Sequence, residues 1–174
     1  MDEMNVIIKR SIWFLLLAIF FFPSATEARC DCRKVETVVI ETALKRVPFK
    51  VEIARTPQAL KKGLMFRHSI EEDEGMLFVF PSPRRAQFWM QNTYVSLDLI
   101  FIDEYGIVVE IMQRATPLSE KKLVSAINTV KAVLEVPAGT AKNIHLDVGD
   151  RVRHPIFKVS KTSMKNDCQK RMKS

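Results

Sequence analysis

Two acidic residues stand within runs of otherwise apolar side chains, where acid–base chemistry is often found. Side chains alternate along a strand, so Asp98 shares one face with Ile100 and Ile102, and Glu135 shares one with Val133. A carboxyl group buried among apolar side chains must be hydrogen-bonded, or its pKa must shift. The two could therefore form an acid–base pair. Alternatively, each could accept hydrogen bonds from backbone amides or an arginine and serve the fold alone.

A second group of interest is the segment 88–93, which reads FWMQNT. Its aromatic and thioether groups stand next to an amide and a hydroxyl, a combination that suits the wall of a ligand pocket. Asn92 and Thr93 could equally form a hydrogen-bonded turn at the rim of a barrel. If a strand before this turn pairs antiparallel with the strand after it, Trp89 and Asp98 come within cross-strand reach.

These observations predict one site at which Trp89, Asn92 and Asp98 converge. The Asn92 amide and the Arg67 guanidinium are the expected hydrogen-bond donors to the Asp98 carboxylate. No residue is assigned a catalytic role. The predicted ligand-binding residues are Arg67, Trp89, Asn92, Thr93, Asp98 and Glu135.

Several other kinds of site have no pattern in this sequence. The serines occur in no Gly-x-Ser-x-Gly frame, so no nucleophile elbow is indicated. The histidines His68, His145 and His154 are far apart and near no cysteine, so neither a metal site nor a cofactor is predicted. Methionines are read as core filling rather than as copper ligands.

The three cysteines, Cys30, Cys32 and Cys168, lie outside the apolar body of the chain. An exported protein can form disulfides. We predict a disulfide between Cys30 or Cys32 and Cys168, with one thiol left over.

The elements that must position these residues are short strands joined by turns. Alternating apolar residues predict strands at 35–40, 49–53, 76–80, 87–90, 97–102, 107–112, 132–136 and 151–159. Thr56 and Pro57 predict the start of a helix that ends near Gly63, and a second short helix follows Gly139. The predicted fold is mostly β, a small antiparallel β-barrel or rolled sheet with two short helices.

The N-terminus has the pattern of a secretory signal. Lys9 and Arg10 precede the apolar run 11–22, which is too short to span a bilayer, and small residues lead to a cleavage site after Ala28. The predicted organisation is a signal peptide at 1–28, an N-terminal segment with the first strand at 29–48, one β-rich domain at 49–159 and a basic disordered tail at 160–174. The expected location is periplasmic or extracellular, with an uncleaved membrane anchor as the alternative.

The formal net charge of +7 is read as a solvated, lysine-rich surface. Many basic residues lie in the C-terminal tail and are not interleaved with aromatic residues, so no nucleic-acid partner is predicted. We expect at most loose association with anionic membranes. The expected protein is a monomer whose partner is an unknown small molecule or an envelope component.

Six ordered blocks together resemble a known family. They are GLMFR at 63–67, EGMLFVF at 74–80, FWMQNT at 88–93, LDLIFID at 97–103, VLEVPAG at 133–139 and GD at 149–150. In this order and spacing, over about residues 49–153, they resemble the bacterial and archaeal domain-of-unknown-function family 192. That family usually has lysine where Gln91 stands. The resemblance implies a compact, mostly β barrel-like fold, often behind a signal peptide, and no activity.

Three functions are compatible with the sequence. The first is a ligand- or partner-binding module, favoured if Trp89, Asn92 and Asp98 line one pocket. The second is a carboxylate-dependent hydrolase that uses Asp98 and Glu135, favoured if the two carboxyl groups face one cleft. The third is an envelope structural or assembly protein, favoured by an exposed apolar patch without a cleft.

The mature chain is predicted to begin at Arg29, because Ala28 follows an h-region of signal length and a helix-breaking Pro23. N-terminal sequencing of the exported protein measures this directly. An N-terminus that retains residues 11–22 would contradict the prediction.

Overall fold

The computed structural model describes residues 34–158, and a single seven-stranded sheet accounts for most of them. The predicted signal peptide, the tail and all three cysteines lie outside this range. No helix within residues 34–158 is long and apolar enough to cross a membrane. The strands are β1 (Val35–Glu41), β2 (Arg46–Ala54), β3 (Glu74–Arg84), β4 (Gln87–Phe88), β5 (Leu97–Ile102), β6 (Val108–Ala115), β7 (Leu123–Val124), β8 (Val130–Pro137) and β9 (Arg151–Arg153). The helices are α1 (Pro57–Lys62) and α2 (Thr140–Asn143).

The large sheet has the strand order β6-β5-β8-β3-β2-β1-β9 and curls on itself. Its two edge strands approach each other at one end, where Ile107 forms an isolated antiparallel bridge with Arg151. There the Val108 amide donates to the Asp150 carbonyl over 2.8 Å, and the Val152 amide to the Gly106 carbonyl over 2.7 Å. The predicted mostly β, rolled-sheet fold is confirmed. One pair, β2 with β3, is parallel, and α1 lies in the connection between these two strands.

The central strands are buried on both faces, which explains why they are apolar at nearly every position. Leu77, Ile100, Leu134 and their neighbours pack into a core on the inner face of the curled sheet. Met76, Leu99, Phe101, Val133 and others pack into a second core, which the loops around α1 and β4 contact. The alternation predicted for the strands at 97–102 and 132–136 is therefore correct, and one apolar set faces each core.

Three stretches differ from the predicted elements. β3 extends beyond the predicted end at 80 and continues irregularly to Arg84, with a shift of its register against β8 between Val79 and Arg84. Lys131 stabilises this irregular end, since its ammonium group donates to the carbonyls of Phe80 at 2.7 Å and Pro81 at 3.0 Å. The last strand ends at Arg153. A further short strand, β7, lies between the predicted strands at 107–112 and 132–136, where no element was predicted.

The predicted pairing of the strand at 87–90 with the strand at 97–102 is wrong. β4 contains only Gln87 and Phe88 and pairs with β7 in a separate two-stranded sheet. Both edges of β5 are already occupied, by β6 and by β8. A strand whose two hydrogen-bonding edges are filled has no ladder left to offer a third neighbour.

The Asp98 carboxylate ties three elements together from the inner face of the sheet. One oxygen accepts a hydrogen bond from the Arg114 amide at 2.8 Å, where β6 bulges and Arg114 has a φ of 53°. The other accepts from the amides of Gly139 and Ala141, both at 3.0 Å. Gly139, with a φ of 92°, stands at the N-cap of α2 and has no side chain to cap the helix. Asp98 supplies the missing acceptor from a different strand.

The expected donors to Asp98 were therefore wrong. Arg67 pairs with Glu52, and no side-chain bond joins Asn92 to Asp98 within the described residues. The alternative left open by the sequence was that backbone amides donate to Asp98. In the structure, backbone amides donate hydrogen bonds to both of its carboxylate oxygens.

Asp98→Asn is expected to lower the free energy of unfolding by about 1–3 kcal/mol, because an amide NH₂ would face backbone N–H groups in a buried place. Urea unfolding measured by circular dichroism gives this quantity. The matched control is Asp103→Asn, in a turn where one carboxylate oxygen accepts from Tyr105 and Ile107 and an Asn oxygen can replace it. A loss for Asp98→Asn no larger than that of the control would contradict the assigned role.

Candidate functional site

A cleft of about 360 Å³ opens on the outer face of the sheet, opposite the face that holds Asp98. Strands β3 and β8 form its floor, and the loop after α1 and the segment around β4 form its walls. Its lining residues are Leu60, Lys61, Lys62, Gly63, Leu64, Met65, Phe78, Phe80, Arg84, Gln87, Phe88, Trp89, Thr93 and Glu135. The volume lies near the lower end of the range for small-molecule sites.

Aromatic rings form the apolar wall of the cleft. Phe88 is at the centre of this group: its ring meets that of Phe78 edge-on, with centroids 5.1 Å apart. The ring of Phe80 lies 6.5 Å from Phe88, and that of the buried Phe101 lies 6.3 Å away on the other side. Such edge-to-face contacts hold the rings in fixed orientations, so the wall is preformed.

Glu135 is the acidic group of the cleft, and its surroundings raise its pKa to about 8 because burial disfavours the charged form. Only 4% of the residue is exposed. Its cross-strand neighbours are Met76 on β3 and Leu99 on β5, both apolar. Within residues 34–158, no hydrogen-bond donor or cation reaches its carboxyl group. Near neutral pH the group is therefore mostly the uncharged acid, able both to donate and to accept a hydrogen bond.

Basic side chains contribute the charged part of the lining. Lys61 and Lys62 are exposed in the last turn of α1, and Arg84 is exposed at the end of β3. The guanidinium carbon of Arg84 lies 5.4 Å from the centroid of the Phe80 ring, a cation–π distance. The cleft thus combines a neutral carboxyl group, an aromatic wall and exposed cations.

The structure places three of the predicted site residues in this cleft and three elsewhere. Trp89, Thr93 and Glu135 line the cleft. Asp98 is on the opposite face, and Arg67 pairs with Glu52. Asn92 has a φ of 56° within the segment 90–93, where the Thr93 amide donates to the Met90 carbonyl at 3.0 Å. The ligand-wall and turn interpretations of this segment therefore apply to different residues of it.

The acid–base pair that was one of the two alternatives for Asp98 and Glu135 does not form. Asp98 is paired across β5 and β8 with Val136, and Glu135 with Leu99. Directly paired residues point to the same face and successive residues to opposite faces, so the two carboxyl groups are on opposite faces of the sheet. Whether the two carboxyl groups share a face can be deduced only once the register between β5 and β8 is known.

Sequence reasoning missed much of the aromatic and basic lining, including Phe78, Phe80 and Arg84, whereas Phe88 lies in the segment 88–93 that was interpreted as a ligand wall. A partial signal existed, because Phe78 and Phe80 fall on one face of a strand by alternation. The contributions of Lys61 and Lys62 depend on where the loop after α1 packs, which has no local signature.

The comparisons with known proteins place this chain in a family. The model of domain-of-unknown-function family 192, described as uncharacterized ACR, matches residues 38–154. This is more than half of the chain, and the chain belongs to that family, as the sequence blocks predicted. A comparison with curated proteins gives no match.

Solved structures similar to this protein include the following two. One is a protein from Sinorhizobium meliloti 1021 described as a candidate transcription regulator: it is 38% identical, with a TM-score of 0.68, over 70% of this chain and 94% of the other. The second is a protein of unknown function from Novosphingobium aromaticivorans DSM 12444. It is 36% identical, with a TM-score of 0.69, over 72% of this chain and 89% of the other.

The raised pKa of Glu135 predicts a specific dependence of stability on pH. The folded chain holds this proton more tightly than the unfolded chain, whose value is near 4.5. The stability from the neutral acid is therefore complete below about pH 4.5 and is lost as the pH rises through about 8. Glu135→Gln, which stays neutral, should match the parent near pH 5 and exceed it by roughly 3–5 kcal/mol near pH 9.

Urea unfolding of both proteins across this pH range measures the difference in their free energies of unfolding. The contributions of all other titrating groups are the same in both proteins and cancel in this difference. Glu110→Gln is the matched control, because the Glu110 carboxylate already accepts hydrogen bonds from Ser125 and from the Ala126 amide at 3.0 Å. The control should gain no stability at alkaline pH. A Glu135→Gln difference that does not change with pH would contradict the environment assigned to Glu135.

Proposed function

We propose that this protein is an exported module that binds a small molecule in the cleft above β3 and β8. The observation that carries the proposal is the Glu135 carboxyl group, which lines the cleft, is buried between the apolar neighbours Met76 and Leu99, and has no hydrogen-bond partner among residues 34–158. A buried polar group without a hydrogen bond lowers the stability of the fold. Glu135 is such a group, and it lies next to an open cleft. A ligand that bonds to this group recovers part of that cost.

The lining indicates which part of a ligand lies where. The rings of Phe78 and Phe88 suit a flat apolar or aromatic body. The neutral Glu135 acid suits a group that both accepts and donates a hydrogen bond, such as an amide. The exposed ammonium groups of Lys61 and Lys62 suit a polar or anionic substituent that extends from the cleft.

Export is supported by the N-terminal sequence alone. Lys9 and Arg10, the apolar run 11–22 and the small residues ending at Ala28 follow the order of a signal peptide. The alternative of a carboxylate-dependent hydrolase is not favoured, because Asp98 and Glu135 do not face one cleft. An aromatic-walled cleft with a single unsatisfied acid favours binding over two-carboxylate hydrolysis.

The cleft can be tested with 2-naphthamide, whose rings match the aromatic wall and whose amide can form a cyclic hydrogen-bonded pair with a neutral carboxyl group. Leu60→Trp places a larger side chain at the cleft lining and should weaken binding at least about tenfold, as measured by calorimetry at pH 6. Leu44→Trp, at a position 72% exposed and not in the lining, is the control and should bind like the parent. Equal affinity in a folded Leu60→Trp variant would refute the site.

The role of Glu135 can be tested by comparing 2-naphthamide with 2-methylnaphthalene, which has no polar group. The parent should prefer the amide by about tenfold, since one hydrogen-bonded pair in a dry site is worth about that much. Glu135→Leu should remove the preference. The affinity of the parent for the amide should also fall as the pH rises through about 8, where the acid loses its donor proton. A preference that survives in Glu135→Leu would show that another group selects the ligand.

A further inference from the structure

Four large apolar side chains are exposed on three neighbouring loops beside the cleft. They are Phe66, Trp89, Tyr94 and Leu118, which are 59%, 40%, 42% and 54% exposed, and we call them the aromatic patch. Trp89 also lines the cleft. Apolar groups that cluster on a surface, rather than being scattered singly, mark interaction sites.

Hydrogen bonds between the loops hold the aromatic patch together. The Phe66 amide donates to the Asn92 carbonyl at 2.7 Å, and the Leu118 amide donates to the Thr93 carbonyl at 3.0 Å. The ring of Tyr94 stacks on that of His68, with centroids 4.6 Å apart. The exposed side chains are therefore carried on loops with defined positions.

The backbone of these loops is strained at the residues that carry the patch. Phe66 has a φ of 66° and Leu118 a φ of 59°, both in the left-handed region that bulky side chains avoid. Asn92, the backbone partner of Phe66, has a φ of 56°. Such strain persists only where the surrounding structure imposes it, and it is concentrated at functional sites. Phe66 and Leu118 present their side chains to solvent, where no core packing compensates for the strain.

Cations lie next to the aromatic patch. Lys61, Lys62 and Arg84 share the lining of the cleft with Trp89. Lys122 is exposed and precedes Leu123, which pairs with Phe88 directly before Trp89. Glu120 is exposed near them on the same loop, so the cations are partly offset there.

We propose that the aromatic patch docks on an anionic membrane surface. Trp and Tyr favour the headgroup region of a bilayer, and Phe and Leu favour the acyl chains just below it. Lysine and arginine at the edge of such a patch are attracted to anionic headgroups while their stems cover apolar surface. An apolar patch with cations beside it is complementary to a lipid surface of negative charge. Docking through the aromatic patch would also turn the cleft toward the bilayer. The docking proposal does not require a ligand in the cleft.

The experiment uses the full chain with Trp13→Phe, which leaves Trp89 as its only tryptophan. Vesicles contain phosphatidylglycerol and a phosphatidylcholine brominated near the headgroup end of its acyl chain, a quencher of inserted tryptophan. Trp89 fluorescence should be strongly quenched with these vesicles and much less in vesicles without the anionic lipid. High salt should reduce the quenching, because it screens the cations. The readout reports the patch itself even if the N-terminal apolar run anchors the chain to the vesicle.

Paired variants separate the apolar and the charged contributions. Phe66→Asn with Leu118→Asn should reduce quenching several-fold, and Asn tolerates the left-handed backbone at both positions. Leu44→Asn, which removes an exposed leucine outside the patch, should leave quenching unchanged. Lys61→Gln with Lys62→Gln should weaken docking on anionic vesicles, whereas Lys45→Gln with Lys142→Gln, near α2, should not.

Two outcomes would overturn the docking proposal. One is Trp89 fluorescence that responds to no vesicle, or equally to neutral and anionic vesicles. The other is a concentration-dependent self-association, lost in the Phe66→Asn and Leu118→Asn variant and seen without vesicle quenching, which would assign the patch to a protein contact. Binding of 2-naphthamide is measured on the same variants. Since Phe66 and Leu118 do not line the cleft, docking and ligand binding can fail independently.

Discussion

The three backbone hydrogen bonds to the Asp98 carboxylate are the interaction on which the arrangement of this fold depends. They join the start of β5 to the bulge in β6 and to the first turn of α2, which follows β8. Without them, three backbone N–H groups would be buried or strained without an acceptor. Asp98 thus links both neighbours of β5 at one end of the sheet, beside the register in which Leu99 pairs with Glu135. The carboxylate on one face of the sheet braces the two strands, β5 and β8, that carry the buried acids.

The two buried carboxyl groups illustrate how to separate a structural acid from a functional one. Asp98 and Glu135 lie on adjacent strands, and both are almost fully buried. Asp98 is surrounded by amides that folding itself brings into place, so its charge is satisfied without any ligand. Glu135 is surrounded by apolar side chains, and burial raises its pKa to about 8. Burial alone does not distinguish the two groups, whereas their hydrogen-bond partners do.

Sequence patterns predicted what depends on local periodicity and failed where distant segments meet. The strand at 97–102, the start of α1 and the two-faced burial of the central strands follow from alternation and capping residues. The pairing of β4 with β7 does not, because two two-residue strands leave no periodic signal. For the same reason, the sequence predicted only part of the candidate site. Trp89, Thr93 and Glu135 stood out by residue type, but Lys61 and Arg84 join them only through the packing of loops. Asp98 was misassigned because its partners are backbone amides, which have no identity in a sequence.

The cleft and the aromatic patch share the same loops, and this links their physical origins. The segment 88–94 contributes Phe88 and Trp89 to the cleft and Trp89 and Tyr94 to the patch. It can do both because the Met90 side chain is buried between them and anchors the segment in the outer core. The Phe66 amide donates to the Asn92 carbonyl and the Leu118 amide to the Thr93 carbonyl, so the loops that carry the patch are bonded to the segment that forms the cleft wall. Phe66 and Leu118 themselves do not line the cleft. The cleft wall and the patch are therefore carried by one set of hydrogen-bonded loops, while their exposed side chains remain separate.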